Sequence, residues 1–283
     1  MHEESADNVE SVVRSWNVLT YLAENANPTL TEIARNIEAP KSSTLRILNT
    51  LINLGLVSQD PDKKTYSIDY RVLNLSYHVL RRSVLRKQAN PYLYELADAS
   101  RLIACLGVVS GPVAITIDKV SLHSPLSVHQ DEIGATVPVH VSSVGKVLLA
   151  YQPEGFVNEF LQEYPLTKFT DKTICDREAY LKELQRVRER GYAINEWEWR
   201  HDTVSIAMPV RNYAGEVIAA VALSRETAVH GDDGNRDEPF SQDHLDALKR
   251  AAERISFSCG YHSAEMLIDS AVWRGRSDGE TRR

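Results

Sequence analysis

The sequence predicts an α+β fold in two parts: three helices closed by a β-hairpin, then a larger domain built on an antiparallel sheet flanked by helices. Three observations carry this. Apolar residues recur at helical spacing in three segments before about residue 54, two short extended runs follow around a polar turn, and beyond about residue 100 β-rich runs alternate with helical stretches.

From Val9 to Ala23, the residues Val9, Val12, Val13, Trp16, Leu19, Tyr21 and Leu22 fall mostly three or four apart, the pattern of an amphipathic helix. Asn27-Pro28 breaks it. Thr29 or Thr31 can cap a second helix bearing Ile33, Ala34 and Ile37, with Glu32 favourably placed in its first turn. Ala39-Pro40 stops that helix and opens a third, because proline's missing N–H costs nothing in a first turn. The third helix is expected to run to about Leu54, burying Leu45, Leu48, Leu51 and Ile52, with Gly55 as its C-cap glycine.

Leu56–Gln59 and Thr65–Ile68, joined by Asp60-Pro61-Asp62-Lys63-Lys64, read as a hairpin. Three helices and such a hairpin make a winged helix-turn-helix, assigned to residues 1–70. A further helical stretch from Val72 to about Leu85, carrying Leu73, Leu75, Val79 and Leu80, is the natural connector over 71–88, with the boundary near Gln88 to Pro91. The second domain spans 89–268. After a helix at 91–99 its expected strands are Leu102–Val109, Val113–Lys119, Tyr192–Glu198, Thr203–Val210 and Val217–Ser224. Its expected helices are Val144–Tyr151, Glu154–Tyr164, Asp176–Arg190 and Ser241–Leu267. Gly231 to Glu238 reads as a polar loop and 269–283 as a disordered tail.

Composition narrows the function classes. A hydrophobic share of 43% with 25% charged residues is that of a globular protein, so gross disorder is disfavoured. No apolar run is long enough for a membrane span and the first residues lack a signal-peptide pattern, so a cytoplasmic protein with no membrane partner is expected. Cys105, Cys175 and Cys259 are odd in number and far apart, which fits a reducing compartment rather than a disulfide framework. The net charge of −7 hides an asymmetry: residues 35–90 hold ten Lys/Arg against four Asp/Glu, a local +6, leaving −13 for the remainder. A basic island in an acidic chain attracts phosphate while the acidic body discourages indiscriminate binding.

The third helix lies in that island. It begins Pro40-Lys41-Ser42-Ser43-Thr44-Leu45-Arg46-Ile47-Leu48-Asn49. A lysine and small hydroxylated residues at a helix N-terminus suit phosphate contacts, while the next exposed side chains reach base edges. Arg46 is the candidate for a bidentate guanine contact, Ser43, Thr44 and Asn49 are secondary readers, and Lys41 and Ser42 sit at the phosphate end. Lys63 and Lys64 belong at the wing tip, over a phosphate or minor groove. Taken singly, each residue is equally an ordinary cap or solvated side chain; the combination within one frame is what is specific.

At this point the residues resemble the IclR family of regulators, from about Val9 to Ser224. The N-terminal match is Leu30-Thr-Glu-Ile-Ala-Arg, Pro40-Lys-Ser-Ser-Thr-Leu-Arg-Ile-Leu and Leu54-Gly-Leu-Val. The C-terminal match is Val137 to Ala150, Arg188 to Glu198 and Ser205-Ile-Ala-Met-Pro-Val210. The resemblance implies a GAF-like effector-binding domain, a homodimer or dimer of dimers on palindromic double-stranded operator DNA, and control of a metabolic or catabolic operon, with repression favoured. It implies no cofactor and no catalysis. Carried over by position, it places the effector against Ser142, Ser143, Val144, Gly145, Lys146, Asn195, Ser205, Ala222 and Ser224. The chain departs from the family pattern at Asn195, where an acid or serine is usual, at Ser205, where cysteine is common, and at Asp202 and Glu38, which replace glycines.

Ser142 to Lys146 is expected to start a helix whose free N–H groups, hydroxyls and positive dipole end favour a carboxylate, so a small organic acid is the expected effector. Simple capping accounts for the same residues. Tyr192, Trp197 and Trp199 could form an aromatic wall suited to an aromatic acid, or could belong to the core. Three other classes are open. Ser143-Val-Gly-Lys146 fits the S-x-x-K pattern of serine hydrolases, without the partner motifs that complete such a site. His123, His129, His140, His201 and Asp202 are scattered and show no metal-ligand spacing. A ligand-binding protein without specific DNA recognition is the third alternative.

Overall fold

Local capping chemistry sets the first helices. The computed structural model describes residues 8–123, 132–227 and 239–262, and divides into two compact units, Met1–Arg82 and Ser83–Arg283. The loop at 231–238, the tail at 269–283 and His129 lie outside the described residues.

In the first unit α1 (Glu10–Glu24) buries Val18 and Leu22. Its other apolar row, Val9, Val12, Val13 and Trp16, is exposed. Thr29 rather than Thr31 caps α2 (Leu30–Asn36), through a reciprocal capping box: Thr29 N–H donates to Glu32 Oε2 at 2.7 Å and Glu32 N–H to Thr29 Oγ1 at 3.4 Å. Glu38, in the turn before α3, has φ +49°, a left-handed conformation that glycine adopts without penalty. Pro40 is the N-cap of α3 (Lys41–Asn53), and Gly55 at φ +72° ends it. The buried row of α3 is Thr44, Leu48 and Leu51; Leu45, expected inside, is 38% exposed, because the helix is phased so that Thr44 takes the inward position. The hairpin pairs β1 (Val57–Gln59) with β2 (Tyr66–Ile68), and Val57 and Tyr66 complete the small core.

The connector differs from its expected form. A short 3-10 turn leads into α4 (Leu73–Arg82), which buries no side chain. Ser83 is extended and caps a new helix, α5 (Val84–Ser100), by accepting from Arg86 N–H at 3.2 Å. The helix expected at 91–99 is therefore the second half of α5, with Pro91 inside it. Asp118, buried in the sheet, anchors this helix: it accepts from Arg86 Nη2 at 3.3 Å and Asn90 Nδ2 at 3.0 Å.

The second unit is a six-stranded antiparallel sheet in the order β5-β4-β3-β8-β7-β6: β3 (Ile103–Ser110), β4 (Val113–Val120), β5 (Thr136–Pro138), β6 (Ala193–Glu196), β7 (Thr203–Arg211) and β8 (Val217–Glu226). β5, three residues long, had no periodicity to announce it. Strand alternation sends Ala104, Leu106, Ile206, Val221 and Leu223 to one face, where they meet Leu93, Leu96, Leu248 and Ile255 of α5 and α9 (Gln242–Ser258). The opposite face carries Cys105, Ala207, Ala220 and Ala222 under α6 (Ser143–Ala150), α7 (Glu154–Glu163) and α8 (Arg177–Arg190). Small side chains there let α6 lie close. α9, expected to reach Leu267, ends at Ser258, because Gly260 at φ +88° turns the chain and Tyr261 N–H closes back onto the Ser256 carbonyl at 2.9 Å.

Candidate DNA-reading helix and effector cavity

α3 has one face in the core and one in solvent. Lys41, Ser42, Arg46 and Asn49 are exposed, and Ser43 is half-buried. Thr44 is fully buried and its Oγ1 donates to the Pro40 carbonyl at 3.1 Å, so the role of base reader expected for it is withdrawn. Ser42, Arg46 and Asn49, spaced four and then three apart, line up along the free face. Lys63 and Lys64 are exposed on the hairpin turn. Asp60 shapes that turn by accepting from the N–H groups of Asp62 and Lys63 at 2.9 and 3.0 Å, which also hold its carboxyl below the usual range. Not every cation of the basic island is available to phosphate. Arg71 donates to the Leu54 carbonyl at the end of α3, and Arg86 pairs with Asp118.

The second candidate site is a cavity of about 60 Å³ between the first turn of α6 and the sheet. Ser142, Ser143, Val144, Asn195, Ser205, Ala222 and Ser224 line it, seven of the nine positions expected. Gly145 and Lys146 do not. A Cβ on Gly145 would stand 2.2 Å from the Val139 carbonyl oxygen, so this glycine admits close helix packing rather than exposing backbone to a ligand. Lys146 is buried and donates to Glu198 Oε1 and, at 3.0 Å, to the Ile194 carbonyl. The S-x-x-K pair is thus not assembled: Ser143 Oγ lies 2.8 Å from Ser205 Oγ, while the lysine is committed to Glu198 and Ile194.

Gly107, Thr116, Val137 and Thr203 also line the cavity and were not singled out from sequence. Gly107 leaves room for Val144, whose Cγ1 is 2.8 Å from where a Cβ would sit. Trp199 lines the cavity and meets Phe169 edge-on at 4.5 Å. Trp197 and Tyr192 pack against the core on the other side of the sheet, so the aromatic wall reduces to Trp199. Ser142 caps α6, accepting from Gly145 N–H at 3.3 Å, while the N–H groups of Ser143 and Val144 have no acceptor within the helix. Asn195 is 97% buried, and its Oδ1 accepts from Glu198 N–H at 2.9 Å. Burial pushes the Glu198 carboxyl up, and the Lys146 charge opposes that shift.

His140 Nε2 donates to the Thr167 carbonyl at 2.9 Å, His123 meets Asp98, and His201 lies near Asp171. Among the described residues no three histidines, cysteines or carboxylates come together as a metal site, and no helix is long and apolar enough to cross a membrane.

A helix-turn-helix with a wing, joined to a sheet domain that holds a polar cavity under a helix N-terminus, defines a DNA-binding transcription regulator with a sensor domain. The family models agree: residues 11–61 match the IclR helix-turn-helix domain and residues 77–257 the bacterial transcriptional regulator IclR C-terminal domain. The chain belongs to the IclR family. It is 29% identical over 254 residues to the HTH-type transcriptional regulator XynR of Escherichia coli K12, covering 89% of this chain and 98% of that protein. Among solved structures it resembles the IclR regulator of Alicyclobacillus acidocaldarius at TM-score 0.72 and 27% identity, covering 89% of this chain and all of that one. It also resembles an IclR homologue from Microbacterium hydrocarbonoxydans complexed with 4-hydroxybenzoate, at TM-score 0.66 and 25% identity, covering 88% and 98% of the two chains.

Proposed function

We propose that α3 enters the major groove of double-stranded, palindromic operator DNA, and that a small organic acid in the α6 cavity controls this binding. The division of α3 into a core row and a solvent row carries the reading. Arg46 and Asn49 are free to meet base edges, Ser43 assists, and Lys41 and Ser42 take phosphates at the helix N-terminus. Lys63 and Lys64 hold the flanking backbone. A second copy of the chain is the partner that palindromic DNA requires. The exposed apolar rows of α1 and α4, which include Trp16, Leu73, Tyr77 and Val79, support such a homodimer, alone or as a dimer of dimers.

The cavity, lined by neutral donors beside a helix N-terminus, supports an anionic effector. An IclR homologue complexed with 4-hydroxybenzoate supports the same class of ligand. The chain acts where the DNA is, in the cytoplasm, as a regulator and not an enzyme, and needs no cofactor for this.

Electrophoretic binding to DNA upstream of its own gene tests the reading. Arg46→Ala should lose about 1–3 kcal/mol of discrimination at one base pair, while Lys64→Ala should weaken all sequences alike and flatten the salt dependence. Equal operator binding by wild type and both variants at matched salt would end the assignment.

A further inference from the structure

A second, open cavity of about 520 Å³ lies at the other end of α6 and shares no lining residue with the first. The last turn of α6, the length of α7, and the sheet end where β3 turns into β4 and β8 begins surround it. Its floor is apolar: Val139, Leu148 and Leu149 are buried there and Ile218 is half-buried. The mouth is apolar too, since Phe156 and Val109 line it while 50% and 37% exposed. Phe156, Phe160 and Tyr164 follow at four-residue spacing along α7 and its end, with successive ring centroids 6.4 and 4.9 Å apart. The charged side chains of the lining are of one sign: Glu159 and Glu163, one turn apart and both exposed. Among the described residues no Lys or Arg lines the cavity, and α7 carries three glutamates and no base.

We propose that this cavity is a second small-molecule site, separate from the acid cavity, and that it takes an organic cation: an apolar or aromatic body carrying one protonated amine. Three arguments converge. The apolar floor and mouth form a concave surface that water covers poorly, so the occupant presents apolar area to it. The charge of the lining is wholly negative, so it attracts a cation and repels the acids that the other cavity favours. Glu163 is the last residue of α7, where the helix's own negative end adds to its charge. Finally, the carboxylates stand among aromatic rings, which attract an ammonium group through their faces. The Tyr164 phenol donates to the Glu163 carboxylate and so ties the charge to an aromatic wall. Arg188 does not compete with a ligand for this charge, because it donates to the Ala150 and Gln152 carbonyls at the end of α6 and is not part of the lining. A second copy of the chain fits less well. A two-fold contact sets the same face against itself, which would bring Glu154, Glu159 and Glu163 towards their own counterparts. A small cation meets no such repulsion.

The test is calorimetric titration of the full chain with 2-phenylethylammonium chloride as the cationic probe and 2-phenylethanol as its neutral counterpart, beside circular dichroism to confirm folding. Wild type should bind the cation about tenfold tighter than the alcohol, and added salt should weaken the cation alone. Glu159→Gln and Glu163→Gln should each weaken the cation about threefold, and the double variant about tenfold, while binding of the alcohol stays unchanged. Val109→Trp, which fills the mouth without altering its charge, should abolish binding of both probes. Should that variant fail to fold, the two glutamine variants, placed at exposed positions, decide. Equal affinity for cation and alcohol, or cation binding untouched by the double variant, would overturn the proposal. So would the absence of any heat from the cation up to about 10 mM, a range that would register even a millimolar site. If instead sedimentation shows the chain associating through this face, with Phe156→Glu dissociating it and no probe binding, the occupant is a second copy and the proposal is likewise overturned.

Discussion

Gly145→Ala puts the packing of α6 to a direct test. The added methyl would stand 2.2, 2.6 and 2.8 Å from the oxygen, Cα and carbonyl carbon of Val139, all backbone atoms that cannot rotate away. Overpacking of a tight interior costs about 1–3 kcal/mol, and three rigid contacts under van der Waals distance place this case at the upper end, about 3 kcal/mol. Replacing glycine by alanine in a helix returns about 1 kcal/mol, leaving a net loss of about 2 kcal/mol. For a unit of this size that lowers the melting temperature by about 4–8 °C. The control is Gly155→Ala in α7, where nothing stands within 4 Å of the new methyl; it should be neutral or stabilising by about 0.5 kcal/mol. Calorimetric melts of both variants beside wild type provide the measurement. A Gly145→Ala protein melting at or above wild type would refute the argument that close approach to Val139, rather than a ligand, demands glycine here.

Glu38→Gly relieves a left-handed backbone at φ +49° and should raise stability by about 1 kcal/mol, seen as a higher urea midpoint for the first unit. Thr44→Val removes a buried hydroxyl's bond to Pro40, whose carbonyl still accepts the Thr44 N–H at 3.0 Å; stability should fall by about 1 kcal/mol while base preference at the operator stays unchanged, measured by competition with single-base operator variants. The Glu32 carboxyl is held below its ordinary 4.5 by the Thr29 N–H and hydroxyl, so its ionised form stabilises the folded state above that value and this contribution is lost as pH falls through the lowered one. Denaturant midpoints of wild type and Glu32→Gln should therefore differ above about pH 4.5 and converge in stronger acid. His140 is kept neutral chiefly by burial, so wild type should lose stability relative to His140→Gln as pH falls below 6.5; parallel pH profiles of their melting temperatures would contradict this.

Much of the first unit was legible because its signals are local. A capping threonine, a proline at a helix start, a glycine at its end and an Asp-Pro turn each act within four residues, so the order of three helices and a hairpin followed from them directly. Helix phase was less legible. Leu45 and Thr44 are adjacent, and which one faces inward depends on how α3 rolls against α1, a tertiary matter that sent threonine inside and left leucine partly exposed. The single helix expected across 71–88 failed for a similar reason: Ser83 is equally compatible with a helix interior, and the grip of Asp118 on Arg86 and Asn90 favours a fresh start there.

The cavity divides along the same line. Local chemistry was enough to mark Ser142 to Val144 as a helix start, and family likeness brought in Asn195, Ser205, Ala222 and Ser224. The commitment of Lys146 depends on Glu198, a partner brought close only when β6 lies beside α6, so its removal from the ligand site was invisible in the sequence. Val137 escaped notice because β5 is too short to show periodicity. The order of elements and the chemical types at the two sites were determined by the sequence through short-range backbone preferences. Which of those groups face DNA, ligand or core was decided by tertiary packing, since a buried polar atom takes whatever partner the fold puts within reach.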